Sequence, residues 1–184
     1  TPGETDYSAA LAAVAALSPQ LIYFGGYDTD AAVLVSQKAA AGMKDVLFFG
    51  ILNGAFLFAA DLFRQISLHS QISFIKLASY EGTSSSGKIK ELIGWNEDLN
   101  GKSVIIIEDI VDTGVTLEHT VDNLIIRNVK EISIVTLLLK PEAYRKNIHI
   151  DYVGFEIPND FVVGYGLDYD GEGRNLPAVY SLVP

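Results

Sequence analysis

Cysteine is absent from the 184 residues of this chain, and histidine occurs only at His69, His119 and His149. Without cysteine the protein can have no disulfide framework, no thiolate nucleophile and no cysteine-ligated metal. The three histidines lack the close spacing of metal ligands, so a zinc site is not expected. These absences exclude a disulfide-stabilised scaffold and thiol catalysis.

Basic residues and long apolar runs are also scarce. Lys plus Arg is 13 and Asp plus Glu is 23, which gives a formal net charge of −10 and a pI near 4.6. Such a charge argues against nonspecific binding to nucleic acid or to anionic membranes. No apolar run approaches the roughly 20 residues that span a bilayer, and no basic residue precedes the Ala-rich N-terminal stretch. We therefore expect a cytoplasmic protein without a membrane or nucleic-acid partner.

Apolar residues make up 49% of the chain, with nine Phe and nine Tyr, so core material is ample. The length fits one domain over residues 1–184. Nearly continuous apolar blocks are typical of parallel strands buried on both faces, and they occur at Val46–Ile51, Ile72–Leu77, Val104–Ile107, Ile132–Leu139 and Tyr152–Ile157. Helical patterns occur at Ala9–Leu17, Asp30–Met43, Ala55–Ile66 and Val115–Ile126. This alternation predicts an α/β fold with a mainly parallel central sheet flanked by helices.

The predicted helix Ala55–Ile66 is apolar around most of its circumference. A surface helix buries only one apolar stripe, so this helix is either enclosed in the core or packed against a second copy of the chain. We favour the second interpretation, and it predicts a homodimer or homotetramer.

A small, polar stretch, Gly82–Gly87, lies between two predicted strands, and we interpret the surrounding residues 79–90 as a mobile loop. With Lys88 it nearly matches a nucleotide-binding P-loop, but Ile89 replaces the required hydroxyl, which excludes that class. Similarly, Asp168–Gly173 superficially matches a calcium-binding loop. Val179 stands where that loop needs a bidentate Glu, so an EF-hand is excluded.

The most informative segment covers residues 104–116, where a buried strand is followed by Glu108, Asp109 and a Gly-containing turn into a helix. Ligands of open α/β sheets bind outside the carboxyl ends of the strands. Backbone N–H groups and hydroxyls of the turn Asp112–Thr116 suit a phosphate monoester. Glu108 and Asp109 suit ribose hydroxyls or a ligand-bound magnesium, and Asp112 is placed to accept a proton. Taken alone, the two acids would better fit a solvated strand end and Asp112 a helix N-cap, whereas the whole string 104–116 favours the ligand-binding interpretation.

Two strings carry a family resemblance. The sequence Glu-Asp-Ile-Val-Asp-Thr-Gly-Val-Thr at 108–116 resembles the phosphoribosyl pyrophosphate signature of type I phosphoribosyltransferases. The string Asp151–Tyr169 resembles their 6-oxopurine branch, the hypoxanthine-guanine phosphoribosyltransferases. The resemblance extends from about Leu47 to Leu182. It implies the type I phosphoribosyltransferase fold, with a flexible flap and a small hood.

The resemblance also implies a reaction in purine salvage. The 5-phosphoribosyl group of phosphoribosyl pyrophosphate passes to hypoxanthine or guanine, which yields IMP or GMP and pyrophosphate and requires Mg²⁺. The flap residues Ser79 and Tyr80 would close over the reacting centre and exclude water.

The same resemblance assigns site residues in four groups. Phosphoribosyl binding falls to Glu108, Asp109, Asp112, Thr113, Gly114, Val115 and Thr116, with Asp112 as the catalytic base at purine N7. The purine is assigned to Lys140, Phe161, Val162 and Asp168. Pyrophosphate is assigned to Asn53, Gly54, Ser79, Tyr80 and Arg174. Magnesium is assigned to Asp168, with Glu108 and Asp109 as further candidates.

The sequence departs from the family pattern at Asn53-Gly54, where Lys-Gly is common, and Val115 in the phosphate turn is harmless if the backbone binds the phosphate. A backbone role in pyrophosphate binding could survive in Asn, whereas the lysine charge is lost. Without the family, Lys140 could simply be a solvated strand end, Phe161 a core aromatic and Arg174 a surface charge.

Two alternatives to the implied enzyme remain open. One is a transferase for xanthine, because a lysine donor selects 6-oxopurines over adenine without ranking them. The other is a non-catalytic regulator of the same fold that binds phosphoribosyl pyrophosphate or nucleotide. The presence of Asp112, Tyr80 and Arg174 favours catalysis over the regulator.

Overall fold

The computed structural model describes residues 21–22, 46–66, 69–79 and 89–181. The predicted helices Ala9–Leu17 and Asp30–Met43, the flap residue Tyr80 and the stretch Gly82–Gly87 lie outside these ranges. The described strands are β1 (Leu21–Ile22), β2 (Val46–Leu52), β3 (Gln71–Ser79), β4 (Ile89–Ile93), β5 (Ser103–Val111), β6 (Glu131–Leu139), β7 (Tyr152–Glu156), β8 (Val162–Val163) and β9 (Val179–Ser181). The described helices are α1 (Phe56–Arg64) and α2 (Val115–Ile126).

A six-stranded sheet forms the centre of the fold, in the order β4-β3-β2-β5-β6-β7. All neighbouring pairs are parallel except β3 with β4, which is antiparallel at the edge. Four of the five predicted apolar blocks lie within strands of this sheet, and the fifth, Tyr152–Ile157, ends one residue beyond β7, so the mainly parallel sheet is confirmed. Two separate apolar clusters cover the sheet, one containing Phe48 and Phe58 and the other Phe49 and Ile106. This double burial explains why the central strands are nearly continuously apolar.

The two helices differ in how closely they match the sequence prediction. Helix α2 has the predicted bounds, whereas α1 starts one residue later and ends two residues earlier than the predicted Ala55–Ile66. Phe58, Ala59 and Leu62 of α1 are buried in the core, while Phe56 and Ala60 are exposed. No helix in the described ranges is long and apolar enough to cross a membrane.

Three short elements and one edge strand were not predicted. Strands β1, β9 and β8 form a small antiparallel sheet in that order. Between β8 and β9, Asp170 and Gly171 adopt φ angles of 51° and 87°, as in a type I′ turn, and Tyr169 pairs with Glu172 across it. At the edge of the large sheet, Ser79 pairs with Ile89, so the ends of the predicted loop 79–90 belong to β3 and β4.

Candidate active site

The two adjacent acids lie within strand β5 and do not follow it, which corrects the predicted strand end at Ile107. The ladder between β5 and β6 continues as far as Val111 opposite Leu139, so hydrogen bonding to the neighbour extends the strand past both carboxylates. The side chain of Glu108 is buried, and the solvated strand end considered above is therefore wrong. Within the described part of the chain, its Oε2 atom has no hydrogen-bond partner.

Burial also changes the proton affinity of this pair. It raises the pKa of Glu108 well above 4.5, and the neighbouring Asp109 charge raises it further. Burial raises the pKa of Asp109 from 3.8 to about 6 and Asp168 adds to that rise, whereas backbone N–H groups and the Arg174 charge oppose it. Full ionisation of the pair is therefore costly until hydroxyl donors or a cation arrive to stabilise the charges.

Three chain segments pack in series beside the Asp109 carboxylate. Gly54, in the turn after β2, lies so close that a β-carbon there would collide with this carboxylate. Gly166, at φ 102°, in turn presses against the carbonyl of Gly54 and has no room for a side chain. The peptide bond between Leu52 and Asn53 in this turn is cis, and the Asn53 side chain is exposed.

The predicted phosphate turn joins β5 to α2. Gly114 adopts a left-handed conformation with φ 84° and precedes the first helical residue, Val115. Because the first N–H groups of a helix have no partner within it, this end of α2 offers donors to an anion. A pocket over the turn is lined by Glu108 and residues 110–117. The structure thus places a concave, donor-rich surface where the sequence predicted phosphate binding.

Lys140 directly follows Leu139, the last residue of β6, at the same edge of the sheet as this turn. Its backbone N–H donates to Val111 at 2.9 Å, and its Nζ lies 3.4 Å from Oδ2 of Asp112. The lysine side chain is only 10% exposed, against 47% for the aspartate. Lys140 is therefore a buried cation oriented by an acid, which excludes the solvated strand-end interpretation.

Asp168 and Arg174 form a second polar centre between β8 and β9. Nη2 of Arg174 lies 2.6 Å from Oδ1 of Asp168, and its Nη1 donates to the carbonyl of Gly166. The other oxygen, Oδ2 of Asp168, accepts from the backbone N–H of Gly171 at 2.8 Å. Arg174 is thus a partly buried, oriented group rather than a free surface charge. The charge of Arg174 lowers the pKa of Asp109, so this polar centre adjoins the pair Glu108 and Asp109.

Phe161 precedes β8 and is 51% exposed, so it is not a core aromatic. Its ring packs edge-on against Tyr169, with centroids 5.6 Å apart and planes 86° apart. Val162 beside it is half-buried. Phe161 therefore presents an apolar ring surface that a planar ligand could cover.

The predicted site residues fall into two neighbouring groups. One contains Gly54, Asp109, Asp168 and Arg174, and the other contains Lys140 and the turn Asp112–Thr116. Ser79 ends β3, and only its backbone is described. Tyr144 and Lys146 also lie against Gly114, and no motif in the sequence marks either residue.

The carboxylates of the described site are of the kind that binds magnesium together with substrate and water. They do not form a site in which protein ligands alone surround a metal ion. Across the described ranges, no group of three or more His, Cys, Asp or Glu residues is arranged to hold an ion. Mg²⁺ is commonly held by one or two carboxylates together with substrate phosphates and water. Asp168 and the unpartnered oxygen of Glu108 are donors of this kind.

A family model described as the phosphoribosyl transferase domain matches residues 29–170. Among curated relatives, the hypoxanthine-guanine phosphoribosyltransferase of Mycobacterium bovis is 46% identical over 149 residues, which cover 80% of this chain and 74% of the relative. The hypoxanthine phosphoribosyltransferase of Buchnera aphidicola is 41% identical over 150 residues, covering 81% and 85%.

Solved structures give the same result for the fold. A hypoxanthine phosphoribosyltransferase of Staphylococcus aureus superposes with a TM-score of 0.80 at 37% identity, covering 89% of this chain and 91% of that one. A variant of the Trypanosoma cruzi hypoxanthine phosphoribosyltransferase, in complex with the product IMP, gives 0.83 at 31% identity, covering 90% and 91%.

Proposed function

The chain belongs to the phosphoribosyl transferase family, in its hypoxanthine-guanine branch, and we propose that its pocket transfers the 5-phosphoribosyl group of phosphoribosyl pyrophosphate to hypoxanthine or guanine. In this reaction the bond from C1′ to pyrophosphate breaks, a bond from C1′ to N9 of the purine forms, and IMP or GMP is released. One observation supports this best. The buried ammonium of Lys140 contacts the carboxylate of Asp112, which lines the pocket over the turn Asp112–Thr116.

The sugar phosphate is proposed to bind along strand β5 and the turn that follows it. Its 5′-phosphate would accept hydrogen bonds from backbone N–H groups of Asp112–Thr116 at the start of α2. Glu108 and Asp109 would accept from the ribose hydroxyls. Departure of pyrophosphate leaves positive charge on the ribose ring, and the two nearby carboxylates would stabilise that charge.

The purine is proposed to lie over Lys140 and Asp112. Lys140 donates to the 6-oxo group, and Asp112 accepts the proton of N7. An ammonium group cannot accept hydrogen bonds from the amino group of adenine, so adenine is rejected. Phe161 would cover one face of the base, with the backbone of Val162 and Asp168 at its far edge.

Pyrophosphate is proposed to bind the backbone of Asn53-Gly54 and the guanidinium of Arg174, with Ser79 and Tyr80 closing from the flap. Mg²⁺ would be held by Asp168, with Glu108 and Asp109 as further ligands. When bound, the ion neutralises part of the charge of the leaving pyrophosphate. Because Oδ1 of Asp168 pairs with Arg174, Asp168 would also orient the arginine toward the pyrophosphate.

We further propose a single domain that functions in the cytoplasm as a homodimer or homotetramer. The exposed Phe56 and Ala60 lie one turn apart on α1 and give this helix a second apolar face for another copy. Xanthine remains a candidate base, because Lys140 would recognise its 6-oxo group as well.

The proposed function is tested with the purified chain, Mg²⁺ and phosphoribosyl pyrophosphate, incubated separately with hypoxanthine, guanine, xanthine and adenine. Chromatography should show a nucleoside monophosphate from hypoxanthine or guanine and none from adenine. Phosphoribosyl pyrophosphate that binds without product from any base would instead support the regulator. Product from xanthine alone would support the xanthine transferase.

A further inference from the structure

Beyond the residues that line the phosphate turn, we propose that Lys146 positions the 5′-phosphate subsite by cancelling the charge of Glu118 and bracing Gly114. This inference rests on the proposed function, because it assumes that a phosphate binds at Asp112–Thr116. Lys146 belongs to the segment that follows β6 and carries no motif of its own.

The packing around Gly114 is the first observation. A β-carbon built on this glycine would lie 2.5 Å from Cε2 of Tyr144 and 2.9 Å from Cγ of Lys146. The side chains of Tyr144 and Lys146 therefore pack directly against the turn at Gly114. Gly114 is needed both for its left-handed backbone, at φ 84°, and for this close approach.

The charge of Glu118 is the second observation. Glu118 lies in the first turn of α2, and its backbone N–H donates to the carbonyl of Gly114 at 2.9 Å. A carboxylate here favours the helix but repels a phosphate dianion at the same helix end. Nζ of Lys146 lies 2.6 Å from Oε2 of Glu118, so the lysine cancels that repulsion.

The backbone fixes the lysine in this position. The N–H of Tyr144 donates to the carbonyl of Lys140 at 3.0 Å, and the N–H of Arg145 donates to the carbonyl of Thr113 at 3.3 Å. The hydroxyl of Tyr144 donates to the carbonyl of Ile148 at 2.8 Å. One short segment thus connects the lysine of the purine site to the phosphate turn, and Lys146 acts through that turn.

Four variants separate the charge role from a packing role: Lys146→Met, Lys146→Arg, Glu118→Gln and the double variant Lys146→Met/Glu118→Gln. Lys146→Met leaves the Glu118 charge unpaired, so KM for phosphoribosyl pyrophosphate and Kd for IMP should rise about three- to fivefold, the range expected for a partly exposed pair. Lys146→Arg should restore both constants. The double variant should recover most of the loss, because no unpaired charge remains.

Three readouts give the controls. kcat, KM for hypoxanthine and Kd for inosine, which lacks the phosphate, should stay within about twofold in every variant. The rise in Kd for IMP should shrink at high salt. Unchanged affinity for IMP in Lys146→Met, or a double variant as weak as Lys146→Met, would overturn the charge role.

Failure of the inference and failure of the proposed function give different results. If the wild-type chain makes no nucleotide from any base, the proposed function fails. If the wild-type chain makes nucleotide but every variant binds IMP as tightly as the wild type does, only the proposed role of Lys146 fails. Should Lys146→Met fold poorly, Glu118→Gln alone still decides the question, because it should tighten IMP binding while inosine binding stays constant.

Discussion

The ammonium nitrogen of Lys140 lies 3.4 Å from Oδ2 of Asp112, although 28 residues separate them in sequence. The contact arises because β5 and β6 are adjacent parallel strands whose carboxyl ends meet at one edge of the sheet. In the proposed reaction the two groups serve neighbouring atoms on one edge of the purine, the 6-oxo group and N7. The acid thus holds the lysine in place before the base binds.

Replacing Asp112 with Asn should lower kcat by about 10²- to 10⁴-fold, because the amide keeps the size of the side chain but cannot accept the N7 proton. Steady-state kinetics with saturating hypoxanthine and phosphoribosyl pyrophosphate measure the loss. KM for phosphoribosyl pyrophosphate should change little, since the proposed contacts of the turn with the phosphate are made by its backbone. An unchanged kcat would show that Asp112 is not the base.

Replacing Lys140 with Ala should weaken purine binding by at least about tenfold, since the buried ammonium group that we propose as the donor to the 6-oxo group is lost. Binding of phosphoribosyl pyrophosphate should change much less. Calorimetry with each ligand separately makes the comparison. Equal losses for both ligands would assign Lys140 to the shared architecture of the site and not to base recognition.

The sequence is sufficient to predict the parallel sheet, helix α2 and the phosphate turn, because these depend on local apolar pattern and a contiguous motif. It cannot predict β8 and β9, which are two and three residues long and exist only through pairing with distant residues. The burial of Glu108 and the wall formed by Tyr144 have the same origin. Both result from contacts between segments that are distant in sequence and that the sheet brings together. No local sequence pattern indicates such contacts.

Substituting Gly54 with Ala should abolish most activity, because the new β-carbon would overlap the Asp109 carboxylate and force the turn after β2 to move. We expect a loss of at least about 10²-fold in kcat/KM for phosphoribosyl pyrophosphate, as for other small displacements of reacting groups. The control is Gly101→Ala, where φ is 73° but no atom lies within 4 Å. That variant should lose about 1–2 kcal/mol of stability and keep its activity.

The raised pKa of Asp109 predicts how stability changes with pH in the ligand-free, EDTA-treated protein. In the folded state this pKa is about 6, and its ordinary value is 3.8. Between these values the folded protein holds a proton that the unfolded chain releases. The contribution to stability is therefore fully present below about pH 4, falls as pH rises to about 6, and is lost above it. Glu108 adds to the fall, because burial and the Asp109 charge raise its pKa as well.

Asp109→Asn isolates this effect, because the amide resembles the protonated acid and does not titrate. Urea unfolding of both proteins should give similar free energies near pH 4, and above pH 6 the variant should be the more stable of the two. The difference removes the contributions of groups that do not interact with Asp109. Loss of the Asp109 charge also removes one cause of the raised pKa of Glu108, which adds to the gain of the variant above pH 6. Arg174 limits the size of the difference, because its charge stabilises the ionised Asp109. The same substitution at Asp122, exposed on α2, serves as the control. A difference between wild type and Asp109→Asn that stays constant from pH 4 to 7 would contradict the prediction, because burial would then not oppose ionisation of this acid.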